Sequence, residues 1–77
     1  MNQRAKYVRH HTDDVTFSEV EVGEDSASGL AVRVRFEDEL LWVPYSQVQK
    51  IERDPKVKGQ DKITVTSWWA KKEGLTE

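Results

Sequence analysis

Cysteine is absent from this chain of 77 residues, and no apolar run approaches the length of a membrane span. Without cysteine the protein cannot form disulfides, zinc sites with thiolate ligands or a cysteine nucleophile. A membrane-spanning helix needs about 20 consecutive apolar residues, and residues 1–11 contain no apolar block like that of a secretory signal. We therefore expect a cytoplasmic protein that does not enter a membrane.

Motifs for catalysis and for cofactor binding are also missing. The sequence has no glycine-rich phosphate loop and no dinucleotide fingerprint, and Ser46 lacks the flanking glycines of a nucleophile elbow. The adjacent His10 and His11 and the acidic run from Asp13 to Asp25 do not have the ligand spacing of zinc or calcium sites. We expect a non-enzymatic protein with no metal and no cofactor.

The composition is that of one small folded domain. Hydrophobic residues make up 36% of the chain and charged residues 34%. This composition is too apolar for outright disorder, but it provides few apolar residues beyond those that a small core needs. A chain of this length buries only about 60% of the surface that its unfolded form exposes, so its core is small. We predict a flexible arm or edge strand over residues 1–14 and a single β domain over residues 15–77.

Charge is distributed in blocks although the net charge is only -2. Residues 1–11 are basic, residues 12–25 contain six acidic residues and no Lys or Arg, and residues 49–62 contain five basic and three acidic residues. Charged segments of this kind keep a small protein soluble. The acidic segment also leaves open a role as a mimic of nucleic-acid phosphates in an inhibitor.

Alternation of apolar and polar residues predicts the first strands. Val20 and Val22 alternate with glutamates, whereas Val15 and Phe17 have the opposite parity, which indicates either a bulge or a strand that crosses an edge near Ser18. A loop is expected over residues 23–29 because turn-forming residues dominate there. The clearest strand follows, and its core face is predicted to consist of Leu30, Val32, Val34 and Phe36.

A polar interruption at residues 37–39 predicts a hairpin whose second strand, residues 40–43, returns antiparallel. Pro44 has no backbone N–H, so this strand must end there or lie at the edge of the sheet. Trp42 is expected to point into the core, as is Trp69, because a small sheet needs large side chains to close it.

The remaining elements are two strands and a helix. Residues 48–51 and 62–66 alternate as strands and flank a charged loop over residues 54–61. Ser67 is the expected N-cap of a helix over residues 68–73, with Gly74 left-handed at its end and Leu75 folding back. The predicted fold is therefore mainly β: a small antiparallel sheet or half-open barrel of about five strands with one short C-terminal helix.

Two segments carry a resemblance to a protein family. The block Trp42-Val43-Pro44-Tyr45-Ser46-Gln47-Val48 and the ending Ser67-Trp-Trp-Ala-Lys-Lys-Glu-Gly-Leu75 resemble a set of small uncharacterised bacterial and phage proteins. Those proteins have a Trp-aliphatic-Pro-Lys-Ser-Gln-aliphatic block and a Trp-containing helix that ends in Lys-Gly-Leu. Here Tyr45 and Glu73 replace the usual lysines. The resemblance implies a prokaryotic or phage origin and no particular activity.

Aromatic and basic residues are the candidate binding residues. Trp68 cannot share the burial of Trp69, since neighbouring side chains on a helix diverge by about 100°, and Tyr45 lies on the predicted turn. The leading hypothesis is a protein–protein interaction or inhibitor role that uses the sheet edge and the surface around Tyr45 and Trp68. The alternative is an accessory protein that stacks single-stranded nucleic acid on these aromatics. Its phosphate contacts would come from Lys50, Arg53, Lys56 and Lys58.

Overall fold

The computed structural model describes residues 7–9 and 13–76, which form an open antiparallel sheet with one short helix. The predicted fold class is therefore confirmed. Most of the predicted N-terminal arm, including His10 and His11, lies outside the described residues. The elements are β1 (Tyr7–Arg9), β2 (Asp14–Asp25), β3 (Ala31–Phe36), β4 (Glu39–Pro44), a 3-10 turn (Tyr45–Gln47), β5 (Val48–Glu52), β6 (Asp61–Thr66) and α1 (Ser67–Lys72).

The strands lie in the order β4-β3-β2-β6-β5, with β1 paired to β2. The long strand β2 is central because its first half pairs with both β6 and β1, while its second half pairs with β3. β4 and β5 are consequently the two outermost strands of the main path. Pro44 ends β4 and lies on an outermost strand, so both of the positions predicted for it are realised.

A bulge divides β2 into two halves. The register with β6 shifts between Phe17 and Val20, and Glu19 within this interval has a positive φ of 55°. The extra residue lets Val15 and Phe17 face the core together with Val20 and Val22 despite their opposite parity. The bulge predicted near Ser18 is confirmed.

The loop predicted over residues 23–29 is shorter than expected. β2 continues to Asp25, and only residues 26–30 form the turn into β3. The Ser26 amide donates to the Ala31 carbonyl at 2.8 Å, and the Gly29 amide donates to the Ser26 carbonyl at 2.9 Å. Pairing with β3 holds Gly23 and its neighbours extended, so tertiary contacts override the local preference for a turn.

The connection between β4 and β5 requires the sheet to bend. Three strands separate these two strands in the sheet, so in a flat sheet their axes would be about 19 Å apart at a spacing of about 4.8 Å. Only Tyr45–Gln47 joins them, and four residue steps reach at most about 14 Å. The sheet must therefore curl so that its two edges approach each other at this end.

The core lies on the inner side of this curled sheet and under α1. Phe17 and Phe36 meet edge to face with ring centroids 5.1 Å apart, and Phe36 lies 6.3 Å from Trp69. This aromatic line connects the two halves of the sheet with the helix. The buried apolar residues are Val15, Phe17, Val20, Val22, Val32, Val34, Phe36, Val43, Ile63, Val65, Trp69, Ala70 and Leu75.

The β3–β4 turn corrects two predictions about the core. It has two residues, Glu37 and Asp38, so Phe36 pairs with Glu39 and Arg33 pairs with Trp42. A three-residue turn would have shifted the register by one and turned Trp42 inward, because such a slip exchanges the two faces of a strand. Trp42 is instead 48% exposed, and Leu30, which precedes β3, is 72% exposed. The expected burial of both side chains is wrong.

The C-terminal helix begins one residue earlier than predicted. Thr66, not Ser67, is the N-cap, and its hydroxyl accepts a hydrogen bond from the Trp69 amide at 3.3 Å. At the other end Gly74 has a φ of 76°, and the Leu75 amide donates to the Ala70 carbonyl at 2.9 Å. These are the bonds of a Schellman motif, so the predicted left-handed Gly74 and the buried Leu75 are confirmed.

The carboxylate of Asp61 lies in the interior of the protein. Asp61, predicted to belong to a solvated loop, begins β6 and is only 7% exposed. Its two oxygens accept hydrogen bonds from the Val22 amide at 2.8 Å and from the Asp54 amide at 2.7 Å. Asp61 therefore fastens the β5–β6 loop to β2.

Candidate functional site

The outermost strand β4 presents unpaired backbone groups. The Tyr45 amide donates to the Leu30 carbonyl at 2.9 Å, so in this antiparallel pair the odd-numbered residues of β4 direct their backbone groups toward β3. The even-numbered residues Leu40, Trp42 and Pro44 direct theirs away from the sheet. Within residues 7–9 and 13–76, β4 pairs with β3 alone. β4 can therefore accept a further strand.

The outer face of β4 is also apolar. Leu40 is 47% exposed and Trp42 48%. The Arg33 guanidinium lies 5.7 Å from the centroid of the Trp42 ring, an arrangement in which the cation is attracted to the ring face. Arg35 stands opposite Leu40 on β3 and lies 3.9 Å from Glu21 on β2. Two exposed apolar side chains thus border a row of paired charges.

The opposite edge, β5, has a different surface. Lys50 and Glu52 form an ion pair with a nitrogen–oxygen distance of 2.7 Å. Their hydrogen bond raises the pKa of the Lys50 ammonium and lowers the pKa of the Glu52 carboxyl. A register shift between Val48 and Lys50 interrupts the pairing of β5 with β6. Charges and bulges of this kind protect an edge strand from pairing with other chains.

A groove of about 620 Å³ runs over the outer face of the half-sheet that contains β5. Val8, Thr16, Thr64 and Lys50 stand side by side across four strands, and the two threonine hydroxyls lie 2.7 Å apart. Most of the residues that line the groove are polar or charged. The positive charges of Lys50 and Lys62 lie beside the negative charge of Glu52. The groove therefore does not select one class of ligand by charge.

Tyr45, a predicted binding residue, lies in the 3-10 turn and is half-buried. Its ring packs against the core, and its hydroxyl donates a short hydrogen bond to the Asp25 carboxylate. This bond is the main reason why the pKa of the Tyr45 phenol is raised above its ordinary value. The polar end of Tyr45 is therefore engaged within the protein.

Two of the predicted basic residues of the β5–β6 loop, Arg53 and Lys58, also make side-chain contacts within the protein. The Arg53 guanidinium donates to the carbonyls of Val22 and Gly23 at 3.0 and 3.2 Å, and the Lys58 ammonium lies 3.5 Å from a Glu21 oxygen. Lys56 lies in the same loop, where its backbone amide donates to Asp54. That bond lowers the pKa of the Asp54 carboxyl. The loop thus adheres to the acidic second half of β2.

Trp68 is the most exposed of the three tryptophans at 64%. It follows Ser67, whose amide donates to the Asp13 carbonyl at 2.6 Å, so Trp68 lies near the start of β2. Tyr45 contacts Asp25 at the end of the same strand. The predicted aromatic residues therefore contact opposite ends of β2, while the Thr66 hydroxyl at the start of the helix of Trp68 donates to the side chain of Gln47, two residues beyond Tyr45. The Lys72 ammonium lies 5.7 Å from the Trp68 ring centroid.

Sequence reasoning did not identify Leu40 and Trp42 as a surface. Residues 40–43 are apolar on both parities, so periodicity alone does not distinguish the inner from the outer face. The length of the β3–β4 turn decides which of these side chains face outward. With a two-residue turn, Leu41 and Val43 lie on the same face as Val32 and Val34. The pair Glu37-Asp38 is not among the residue pairs typical of such turns, so the sequence does not predict this turn length.

Comparisons with protein-family models, with curated proteins and with solved structures find no match for this chain. Across the part of the chain that the structure describes, no helix is long and apolar enough to cross a membrane. The same residues contain no group of three or more potential metal ligands. Any functional conclusion therefore depends on the surface of this molecule itself.

Proposed function

We propose that this protein is a small non-enzymatic binding module that recognises another polypeptide by adding a strand to β4, in an interaction or inhibitor role. The observation that supports this proposal is the coincidence of outward N–H and C=O groups and exposed apolar side chains at Leu40 and Trp42. In strand addition the backbone bonds supply affinity, and alternate side chains supply specificity.

The proposed site differs from the binding residues that the sequence predicts. The Tyr45 hydroxyl is bound to Asp25, whereas Trp42 has about half of its surface exposed. Tryptophan is among the residues that contribute most to binding energy in protein interfaces. A cytoplasmic location and a prokaryotic or phage origin remain predictions from composition and resemblance.

A lysate capture experiment tests the proposal. Immobilised wild-type protein should retain specific proteins from a prokaryotic lysate, and the Leu40→Lys/Trp42→Lys variant should lose them. Trp68→Lys is the matched control, because Trp68 is an exposed tryptophan outside β4. Retention of the same proteins by the β4 variant, or of none by a wild-type protein that also fails to associate with itself, would contradict the proposal.

Single-stranded nucleic acid is the second candidate, and it depends on Trp68 with Lys72 beside its ring. Against it, Lys50, Arg53 and Lys58 have partners within the chain. Tryptophan fluorescence titrated with an oligonucleotide at low and moderate salt decides the matter. Salt-sensitive quenching that is lost in Trp68→Ala would support this candidate, since phosphate contacts weaken with salt. Unchanged fluorescence would remove it.

A further inference from the structure

The strand β4 is complementary to itself, which specifies a partner for the proposed binding site. Its six residues contain no bulge in their pairing with β3, so a second strand can lie along the whole edge. An isologous dimer places the same strand of two copies antiparallel about a two-fold axis. The question is whether a register exists in which both the backbone and the side chains match.

Pro44 restricts the possible registers. It lies at an outward position but has no N–H to donate. If Trp42 faced Trp42 of the second copy, Pro44 would face Leu40, and the outward Leu40 carbonyl would lack a donor. The Leu40 amides could still donate to the Pro44 carbonyls, so that register forms four hydrogen bonds but holds the unpaired Leu40 carbonyl against Pro44, away from water. If Leu40 faces Trp42 of the second copy, the N–H and C=O groups of both residues are paired in both copies, which also gives four hydrogen bonds, and the unpaired Pro44 carbonyl lies beyond the paired residues, where water can reach it. Pro44 therefore favours the register with Leu40 opposite Trp42.

In this register apolar side chains meet on both faces of the sheet, and only Glu39 brings a charge opposite an apolar residue, Val43. On the outer face each exposed Leu40 would stand beside an exposed Trp42, so the four side chains form one apolar strip. On the inner face Leu41, which is half-buried against the core, would meet Leu41 at the two-fold axis. Cross-strand pairs of aromatic and aliphatic residues stabilise antiparallel strands.

Charges do not oppose the pairing. Glu37 and Asp38 form the turn before β4, so the acidic turns of two antiparallel copies lie at opposite ends of the paired strands. Arg33 and Arg35 lie one strand in from the edge, within 4.0 Å of Glu24 and 3.9 Å of Glu21 respectively. Among the residues of β4, this register places no like charges directly opposite each other.

We infer that the partner for β4 is a second copy of this chain, paired antiparallel with Leu40 opposite Trp42. This inference builds on the proposed function, because it names the polypeptide that the same edge binds. The contact involves only six residues per copy, which is at the small end of specific interfaces. The dimer is therefore expected to form in the micromolar range or more weakly.

The first test measures mass against concentration by sedimentation and light scattering. Wild-type protein should convert from monomer to dimer between low micromolar and millimolar concentrations. Leu40→Lys/Trp42→Lys should weaken dimerisation by at least about thirtyfold, as loss of a central tryptophan does. Trp68→Lys should dimerise like the wild type, and circular dichroism establishes that each variant is folded.

A charge pair tests the register. In Leu40→Glu/Trp42→Lys, the proposed register places the new glutamate of one copy opposite the new lysine of the other, twice. This variant should dimerise better than Leu40→Lys/Trp42→Lys, and the advantage should decline with salt. If the Trp42 positions faced each other, an equimolar mixture of Trp42→Lys and Trp42→Glu would associate more tightly than a mixture of Trp42→Lys and Leu40→Glu, because only the first mixture would place opposite charges directly across from each other. That result would overturn the proposed register.

A cysteine substitution provides an independent measurement. Because the chain has no cysteine, Leu41→Cys introduces a single thiol, and at the two-fold axis its Cα would lie about 4.5 Å from its counterpart. That separation permits a disulfide, so oxidation should give a covalent dimer. Trp68→Cys, its matched control, should form no covalent dimer. Absence of a Leu41→Cys dimer would count against the inference.

Amide hydrogen exchange separates failure of this inference from failure of the proposed function. In the dimer the Leu40 and Trp42 amides should become protected as concentration rises, while those of Leu41 and Val43 are protected throughout. A protein that stays monomeric, with Leu40 and Trp42 exchanging freely, overturns the homodimer. The proposed function then stands if lysate capture still depends on these two residues, and fails if it does not.

Discussion

The two outermost strands of this sheet differ in how they meet solvent. β5 carries the ion pair between Lys50 and Glu52 and is interrupted by a register shift, which are two devices that prevent edge pairing. β4 carries exposed Leu40 and Trp42 on an uninterrupted register, with only Pro44 at its end. The protein thus protects one edge and leaves the other suited to receive a strand.

The same comparison explains how the two edges are supported. β4 is held through β3, whose inner residues enter the aromatic core, whereas the loop beyond β5 is held by the buried carboxylate of Asp61. Apolar side chains of both edges pack on the core, Leu41 and Val43 from β4 and Val48 and Ile51 from β5, and only the loop beyond β5 depends in addition on the hydrogen bonds of Asp61. Substitutions should separate these contributions, and they are considered from the largest expected effect to the smallest.

Phe36→Ala should have the largest effect. Phe36 is fully buried between Phe17 and Trp69, and deleting such a ring costs about 3–5 kcal/mol, much of the stability of a small domain. Urea denaturation followed by circular dichroism measures the change. Leu40→Ala on the outer face of the same hairpin is the control, and equal destabilisation by both would contradict the assignment of faces.

Asp61→Ala should weaken the attachment of the β5–β6 loop. The substitution leaves the amides of Val22 and Asp54 without their acceptor, and an unsatisfied buried donor costs about 1–3 kcal/mol. Thermal denaturation measures the loss, and amide exchange at Asp54 should accelerate. Asp61→Asn, which keeps one acceptor oxygen, should lose less; equal losses would show that the two bonds are not the cause.

Trp42→Ala should destabilise the folded monomer only slightly. About half of the Trp42 ring is exposed, and its contact with the Arg33 guanidinium is worth about 0.5–1 kcal/mol. Denaturation of dilute protein, where association is negligible, gives the relevant value. A loss as large as that of Trp69→Ala, whose side chain is buried, would return Trp42 to the core and remove the basis of the β4 site.

The smallest predicted effect concerns the turn that joins the two edges. The hydrogen bond from the Tyr45 hydroxyl to Asp25 raises the pKa of Tyr45 in the folded protein. Its contribution to stability is therefore fully present below the unfolded pKa of about 10 and is lost as the pH rises through the folded pKa. Tyrosinate absorbance in a Tyr7→Phe background measures this titration.

Asp25→Asn is the control for that titration. It removes the negative charge that stabilises the protonated phenol, so Tyr45 should ionise at a lower pH than in the parent. An identical titration in the two proteins would show that Asp25 does not bind the Tyr45 hydroxyl in solution.

Local patterns predicted the elements better than the surfaces. The opposite parity of Val15 and Val20 indicated the bulge, and Gly74 followed by Leu75 indicated the helix end, because each is encoded by a few neighbouring residues. The burial of Asp61 could not be predicted this way. It depends on the Val22 amide, 39 residues away in the chain.

The candidate site was predicted only in part. An exposed sheet edge was expected, and Trp68 proved to be exposed. The importance of Tyr45 rested on its position in a turn, whereas the fold places its hydroxyl against Asp25, 20 residues away. Similarly, the basic residues of the loop were predicted to be available for binding, but Arg53 and Lys58 contact the acidic strand β2. Partners distant in sequence decide which charges remain available.

By itself, the sequence determined the antiparallel β character, the position of Pro44 at a strand end and the single short helix, since periodicity and backbone chemistry act locally. Tertiary structure decided which face of residues 40–43 is outside. A turn longer by one residue would exchange the two faces of β4. The two-residue turn of Glu37 and Asp38 is favoured because it lets β4 pair with β3 while Val32, Val34 and Phe36 pack into the core. Trp42 is exposed for that reason.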